Sequence, residues 1–168
     1  MTANSRITGA VSASAVQMGG TGENDRDIPS DGRGAARVRT GVKALVSSSE
    51  KVLLLREHHC DGRAFWTLPG GGVHRGEKPE RALHRELTEE LQCGAVVGTA
   101  IDWYAYAHAS TPDLLSVYTV YDCAVVERPA PNATEGIDQC RWVRPDSLPP
   151  RTLSQVRSVV SGAHAPPR

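Results

Sequence analysis

One segment, residues 70–94, reads GGGVHRGEKPERALHRELTEELQCG. A glycine-rich loop opens it, and from Pro79 to Leu91 no residue breaks a helix. Proline suits the first turn of a helix, where its missing N–H costs no hydrogen bond. The segment therefore predicts a loop followed by a single helix.

The predicted helix carries an apolar stripe with acidic side chains beside it. Leu83, Leu87 and Leu91 recur at four-residue spacing and are expected to face the core. Glu86 and Glu90, also four residues apart, flank this stripe. Like charges at this spacing cost about 0.2–0.5 kcal/mol per pair on an exposed helix. A divalent cation would reverse that sign, and Mg²⁺ favours a few carboxylates together with waters and substrate phosphates.

Two interpretations of this acidic helix are open at this point. A solvated helix face could carry three glutamates and one arginine without any function. These residues are Arg85, Glu86, Glu89 and Glu90. The spacing favours a site, because the segment resembles the Nudix box, G-x5-E-x7-R-E-U-x-E-E-x-G-U with U aliphatic. Gly71 opens the match, Glu77 follows after five residues, and residues 85–90 follow after seven more. The chain is therefore identified as a member of the Nudix superfamily.

The end of the box departs from the motif. Gln92 stands where the family has glycine, Cys93 stands at an aliphatic position, and a glycine follows late at Gly94. The family glycine would end the helix in a left-handed cap. The sequence therefore predicts that this helix end is extended or reshaped.

Composition indicates one domain without bulk charge. The 168 residues include nineteen basic and nineteen acidic side chains, so no overall field favours nucleic acid or a membrane. An apolar run of about 18 residues and a secretory signal are both missing from the sequence, which predicts no membrane span. Four scattered cysteines predict free thiols in a reducing cytoplasm and not a zinc site. They are Cys60, Cys93, Cys123 and Cys140.

The chain divides into a tail, a domain and a short end. Residues 1–36 have no aromatic side chain and are rich in small polar residues, which predicts a disordered tail. The domain is predicted over residues 37–162, with a frayed end over 163–168. Strand-like runs cover residues 42–46, 52–55, 64–68, 99–107, 114–127 and 138–143, and a second helix follows around Leu153, Val156 and Val160. This order indicates an α+β fold. The resemblance implies a Nudix-type α/β/α sandwich with a mixed β-sheet between helices.

The resemblance also implies the chemistry. Nudix enzymes hydrolyse a diphosphate bond in a nucleoside diphosphate linked to another moiety, with Mg²⁺, or alternatively Mn²⁺, as cofactor. The positions in the box imply three metal ligands, the carboxylates of Glu86, Glu89 and Glu90. The resemblance makes the carbonyl of Gly70, just before the box, the expected further ligand. Glu86 is also the first choice for the base that acts on metal-bound water.

Further residues of the box are expected to organise the site. Glu77 and Arg85 are expected to tie the loop to the helix. Gly71 and Gly72 let the backbone approach the substrate without a Cβ in the way. Some family members take the base from a distant loop, where Glu127 and Glu135 are candidates that we interpret as surface acids.

Residues outside the box define the substrate poorly. Aromatic side chains in the predicted strands could stack on a base, although strand aromatics are more often core residues. They are Trp66, Trp103, Tyr104 and Tyr106. The pair His58-His59 lacks a third metal ligand nearby and is interpreted as part of a loop.

The predicted function is a cytoplasmic hydrolase of small nucleotides, such as (deoxy)nucleoside triphosphates or nucleotide sugars, and a homodimer is left open. The alternative is a non-catalytic Nudix module that binds a nucleotide to regulate a partner. Gln92 and the long tail favour this alternative. An isopentenyl diphosphate isomerase on the same fold is less favoured, because the Cys and Glu motifs of that family cannot be placed here.

Overall fold

The computed structural model describes residues 37–108, 111 and 113–163. Its elements are β1 (Arg37–Ser48), β2 (Lys51–His58), β3 (Ala64–Thr67), α1 (Pro79–Leu91), β4 (Ala95–Ala107), β5 (Leu114–Val125), β6 (Gln139–Val143) and α2 (Ser154–Ala163). The predicted tail of residues 1–36 lies outside the described residues, as do residues 164–168. Helix α2 includes Ala163, so it runs one residue past the predicted domain boundary.

The described strands form one mixed sheet in the order β3-β2-β1-β5-β4, and β6 pairs with β2. Strands β1 and β5 are parallel, and the other pairs are antiparallel. Alternate residues of β1 point to opposite faces of the sheet. Val42, Ala44 and Val46 pack in the same cluster as the leucine stripe of α1, whereas Leu45 packs with the valines of α2. Helices therefore cover both faces, which confirms the predicted α/β/α sandwich.

Strands β1 and β2 separate directly after the turn that joins them. They pair only at Ser47 and Ser48 of β1. Beyond this point the glycine loop, residues 69–73, lies beside β1. The Ala44 N–H donates to the Pro69 carbonyl at 2.9 Å, and the Val42 N–H donates to the Gly71 carbonyl at 2.9 Å. The glycine loop is thus hydrogen-bonded to β1 as a short neighbouring strand would be. The turn into α1 follows it along the chain.

The C-terminus of α1 corrects the prediction made from Gln92. The helix ends at Leu91, and Gln92 itself adopts the left-handed conformation, with φ 52° and ψ 34°. Its N–H donates to the Thr88 carbonyl at 3.0 Å. The helix therefore ends where the motif glycine would end it, and the predicted extension was wrong.

A distant loop explains why glutamine can occupy this position. The last carbonyls of a helix need donors from outside it. The Ala130 N–H donates to the Leu91 carbonyl, and the Asn132 N–H donates to the Glu90 carbonyl, both at 2.9 Å. The Asn132 side chain also donates to the Glu89 carbonyl at 2.7 Å. These bonds fix the helix end and offset the strain at residue 92.

Replacing Gln92 with glycine should stabilise the protein. Gln92 is exposed, and a non-glycine residue in the left-handed region is strained by about 1 kcal/mol. We expect Gln92→Gly to raise the free energy of unfolding by about 1 kcal/mol and Tm by roughly 2–4 °C. Urea unfolding measures the difference, with Gln92→Ala as the control that keeps the strain. An unchanged midpoint in Gln92→Gly would show that the strain is already relieved by the neighbouring loop.

Candidate active site

Arg85 joins the glycine loop to α1. Its guanidinium donates two hydrogen bonds to the Glu77 carboxylate, both at 3.0 Å, and one to the Gly72 carbonyl at 2.8 Å. It also donates to Glu86 at 2.7 Å and to Glu89 at 3.2 Å. A two-pronged contact of this kind fixes geometry as well as charge. Arg85 therefore links the turn at Glu77 and the glycine loop to α1.

Glu77 closes the turn that leads into α1. Its carboxylate accepts the His74 N–H at 2.9 Å in addition to the bonds from Arg85. The Arg85 guanidinium and then the His74 N–H lower the pKa of Glu77 to about 2. Glu77 is therefore ionised throughout the neutral range and serves as a fixed anchor for Arg85.

Glu77→Gln should weaken the protein in a pH-dependent way. Because the pKa of Glu77 is lower in the folded state than in the unfolded state, its stabilising effect is present above about pH 4.5 and is lost as the pH falls towards 2. We expect the variant to unfold at lower urea concentration than the natural protein at pH 7, and the gap to narrow between pH 4.5 and 3. If the difference in urea midpoint between the two proteins is constant with pH, Arg85 does not stabilise the charged form of Glu77.

Glu86 lies against the glycine loop. A Cβ placed on Gly71 would come within 2.6 Å of the Glu86 carboxylate, so a side chain at residue 71 would force that carboxylate to move. Glu86 is mostly buried, whereas Glu89 is nearly half exposed. The two carboxylates share the Arg85 Nη1 group as a donor. The present position of the Glu86 carboxylate therefore depends on the missing side chain of Gly71 and on Arg85.

Glu90 and Lys43 both form hydrogen bonds with the backbone of Gly70. Glu90 is 8% exposed, and its carboxylate accepts the Gly70 N–H at 2.8 Å. The Lys43 ammonium donates to the Gly70 carbonyl. Burial raises the pKa of Glu90 to about 7, against the opposing charge of Lys43. Burial also lowers the pKa of Lys43, but the charges of Glu57 and Glu90 outweigh it, so Lys43 stays protonated.

The residues around the glycine loop suit a hard divalent cation in their chemistry. Three carboxylates and one backbone carbonyl are the oxygen donors that such an ion prefers. Within residues 37–108, 111 and 113–163, however, no three acidic, histidine or cysteine side chains converge closely enough to hold an ion. Arg85 instead binds Glu86 and Glu89, and the charge of Lys43 acts on Glu90. The donor set fits a metal, provided that these side chains rearrange when it binds.

A cavity of about 200 Å³ lies beside Lys43. Polar side chains from β1, β2, β3, β4 and β5 line it, among them Lys43, Glu57, Thr67, Tyr104, Tyr106 and Tyr118. The Lys43 ammonium lies 5.4 Å from the centroid of the Tyr118 ring and 3.8 Å from Glu57. Sequence analysis missed Lys43, although a lysine inside the apolar run VKALV is a signal that could have revealed it.

The aromatic side chains considered for base stacking divide into three groups. Trp66 is buried in the core with α2. Tyr104 and Tyr106 line the cavity, and Tyr104 is also nearly buried. Trp103 is 67% exposed on β4 and does not line the cavity. Of these four residues, Tyr104 and Tyr106 are therefore the two that place an aromatic ring at the cavity.

The other candidates occupy positions outside the glycine loop. Glu127 accepts the Gly94 N–H at 2.7 Å, a contact that supports the chain after α1. Glu135 is exposed in a short 3₁₀ turn. His58 and His59 border the cavity, where His59 stacks on Phe65 at 4.2 Å between ring centroids.

Comparisons with known proteins place this geometry in a family. The model of the NUDIX domain matches residues 37–161. The nucleoside triphosphatase NudI of Escherichia coli O139:H28 is 30% identical over 124 residues, which are 67% of this chain and 86% of that protein. A crystal structure of a MutT NUDIX hydrolase from Burkholderia pseudomallei is 25% identical, with a TM-score of 0.66, over 74% of this chain and 97% of that one. The chain belongs to the Nudix family.

A further relative matches over a shorter part. The RNA pyrophosphohydrolase of Sulfurovum sp. (strain NBC37-1) is 40% identical over 78 residues, 44% of this chain, and the match spans half the length of that protein. These findings confirm the predicted superfamily and the prediction of an enzyme of the Nudix hydrolase type. Nudix hydrolases generally use divalent metal ions. No helix within the described part of the chain has both the length and the apolar character needed to cross a membrane.

Proposed function

We propose that the protein hydrolyses a diphosphate bond in a nucleoside diphosphate linked to another moiety, with Mg²⁺ as the cofactor. The observation that carries this proposal is the position of Arg85, which binds Glu77, Gly72 and two acids of α1 at once. This network keeps the acidic face of α1 against the glycine loop, where a phosphate chain and its metal ion can meet.

Each residue of the network receives a role in this proposal. Glu86, Glu89, Glu90 and the Gly70 carbonyl hold the cation, which would polarise the phosphate and lower the pKa of a bound water. Glu86 would position that water and take its proton, and its carboxylate lies directly beside Gly71 of the glycine loop. Gly71 and Gly72 let the substrate approach the backbone, and Arg85 and Glu77 keep the loop in place.

A small nucleotide is the proposed substrate. The cavity beside Lys43 offers tyrosine rings and hydrogen-bonding groups, a combination that suits a nucleoside. One relative is named a nucleoside triphosphatase and another an RNA pyrophosphohydrolase. The candidate substrates therefore also include the triphosphate ends of RNA. The balanced charge of the chain favours the free nucleotide over a long polyanion. The four cysteines are free thiols, which supports a reducing cytoplasm as the compartment.

Phosphate release tests the proposal. The purified protein, with Mg²⁺ or Mn²⁺ and auxiliary phosphatases, is incubated with nucleoside triphosphates, nucleotide sugars, dinucleotides and a 5′-triphosphorylated RNA. We expect turnover of a few related small nucleotides and its loss in Glu86→Gln. Glu80→Gln, an exposed acid on the same helix, is the matched control and should keep full activity.

The alternative of a non-catalytic regulatory module predicts a different result. Metal-dependent binding of a nucleotide in a calorimeter, with no product from any member of the panel, would favour that module. Turnover that persists in Glu86→Gln would instead exclude the proposed base. Sedimentation analysis of the same preparation decides whether the protein forms the homodimer that the sequence leaves open.

A further inference from the structure

Lys43 is a charged side chain in a place where charge is costly. It is 5% exposed, lies on β1 beside the glycine loop, and lines the cavity. A buried ammonium is tolerated only when it is paired and hydrogen-bonded. Its partners are the Gly70 carbonyl, the Glu57 carboxylate at 3.8 Å and the face of the Tyr118 ring. Lys43 therefore has one contact in the candidate metal site and the others at the cavity.

The contact with Gly70 places Lys43 in conflict with a divalent cation. The Gly70 carbonyl oxygen has two lone pairs and could accept two partners. A cation about 2.1 Å away and an ammonium about 2.8 Å away on one oxygen would nevertheless lie within roughly 5 Å of each other. Two positive charges at this separation repel strongly where water is excluded.

The cavity offers the ammonium another place. Glu57 is already within reach of an ion pair. The hydroxyl of Tyr104 lines the same cavity, is buried, and has no hydrogen-bond partner of normal geometry, although Thr67 lies near it. Both groups can accept a hydrogen bond from Lys43. A rotation of the lysine side chain would thus exchange a carbonyl for a carboxylate and a hydroxyl.

We propose that Lys43 is an internal counter-ion that a divalent cation displaces from Gly70 into the cavity. This inference rests on the proposed function, because it takes Gly70 and Glu90 as metal ligands. The lysine neutralises Glu90 and Glu57 while no metal is bound. When the metal binds, the ammonium moves towards Glu57 and Tyr104. In that position it presents a positive charge to a substrate in the cavity.

Metal binding measured without nucleotide tests the inference. We expect Lys43→Met, which keeps the length of the side chain and removes its charge, to bind Mn²⁺ at least tenfold more tightly than the natural protein in isothermal titration. Lys43→Gln, which can still donate to the Gly70 carbonyl, should also bind Mn²⁺ more tightly, because it too lacks the charge. Lys51→Met, which replaces an exposed lysine at the start of β2, is the matched control and should leave the Kd unchanged. Unchanged or weaker Mn²⁺ binding in both Lys43 variants would overturn the inference.

A second measurement uses the natural protein and does not depend on the folding of a variant. Because Lys43 is buried, we expect its ammonium to give a protected ¹H–¹⁵N signal, which Lys51→Met should retain. We expect this signal to shift when Mg²⁺ is added, and an unmoved signal at saturating Mg²⁺ would contradict the displacement. If the natural protein binds no Mn²⁺ and hydrolyses nothing, the proposed function itself fails. If the natural protein binds Mn²⁺ and hydrolyses a substrate, but the Lys43 variants bind Mn²⁺ no more tightly than it does, only the displacement of Lys43 is contradicted.

Discussion

Replacing Glu90 with glutamine is expected to reduce turnover by about 10³-fold and also to stabilise the metal-free protein at pH 8. The loss of activity follows from removing one charged donor of the proposed metal site. The gain in stability follows from burial, which raises the pKa of Glu90 to about 7. Because this pKa lies above that of the unfolded chain, the stability associated with Glu90 is fully present below about pH 4.5 and is lost as the pH rises through 7. At pH 8 the charged form therefore costs about 3 kcal/mol, and the neutral glutamine removes that cost.

Unfolding in EDTA at pH 5 and pH 8 separates the two effects. The difference between Glu90→Gln and the natural protein should be small at pH 5 and should favour the variant at pH 8. Phosphate release with Mg²⁺ then measures turnover in the same preparations, with Glu80→Gln as the control on the exposed side of α1. Natural turnover in Glu90→Gln would remove this residue from the metal site. A variant that is less stable at pH 8 would show that Lys43 stabilises the Glu90 charge more than burial destabilises it.

Replacing Gly70 with alanine is expected to lower the free energy of unfolding by about 3 kcal/mol or more and to abolish activity. Gly70 has a φ of 118°, a conformation that residues with a side chain rarely adopt. A Cβ at this position would lie 2.4 Å from the carbonyl oxygen of Val42, which is backbone and cannot turn away. The glycine loop would have to leave β1, and the Gly70 N–H would then lose the Glu90 carboxylate.

Gly76→Ala provides the matched control for this substitution. Gly76 also has a positive φ, 78°, but a Cβ there would meet no atom within 4 Å. The control therefore reports backbone strain alone, at about 1 kcal/mol. Urea unfolding of both variants gives the two costs. Equal losses would show that the close approach to Val42 has no effect and that only the φ angle matters.

Sequence analysis predicted the acidic side of the site because that side is local. Residues 70–91 supply the loop, the anchor pair Glu77 and Arg85, and the acids of α1, so their spacing along the chain also determines their spacing in space. Gln92 was interpreted wrongly, because the displacement of the motif glycine was expected to extend or reshape the helix end. Hydrogen bonds from Ala130 and Asn132, about 40 residues later, stabilise that end, and nothing local to the helix reveals them.

The cavity side could not be derived in the same way. Lys43, Glu57, Tyr104 and Tyr118 come from four different strands and meet because β2, β1, β5 and β4 are neighbours in the sheet. Each residue alone is compatible with a solvated strand or with the core. The observed strand boundaries also differ from the predicted ones, because β1 and β4 extend beyond the apolar runs that predicted them. Pairing with β5 supplies the hydrogen bonds that these extensions need.

The parallel pairing of β1 with β5 also has a consequence for how the chain is made. Arg37 pairs with Leu114, and the register continues to Val46 and Cys123. At a synthesis rate of roughly 5–20 residues per second, β1 leaves the ribosome about 4–16 s before its partner strand exists. During that interval the glycine loop can occupy one edge of β1, but the other edge has no native partner. A nascent chain that stalls before residue 114 therefore exposes an unpaired apolar strand, which is the form that chaperones bind and that aggregates most readily.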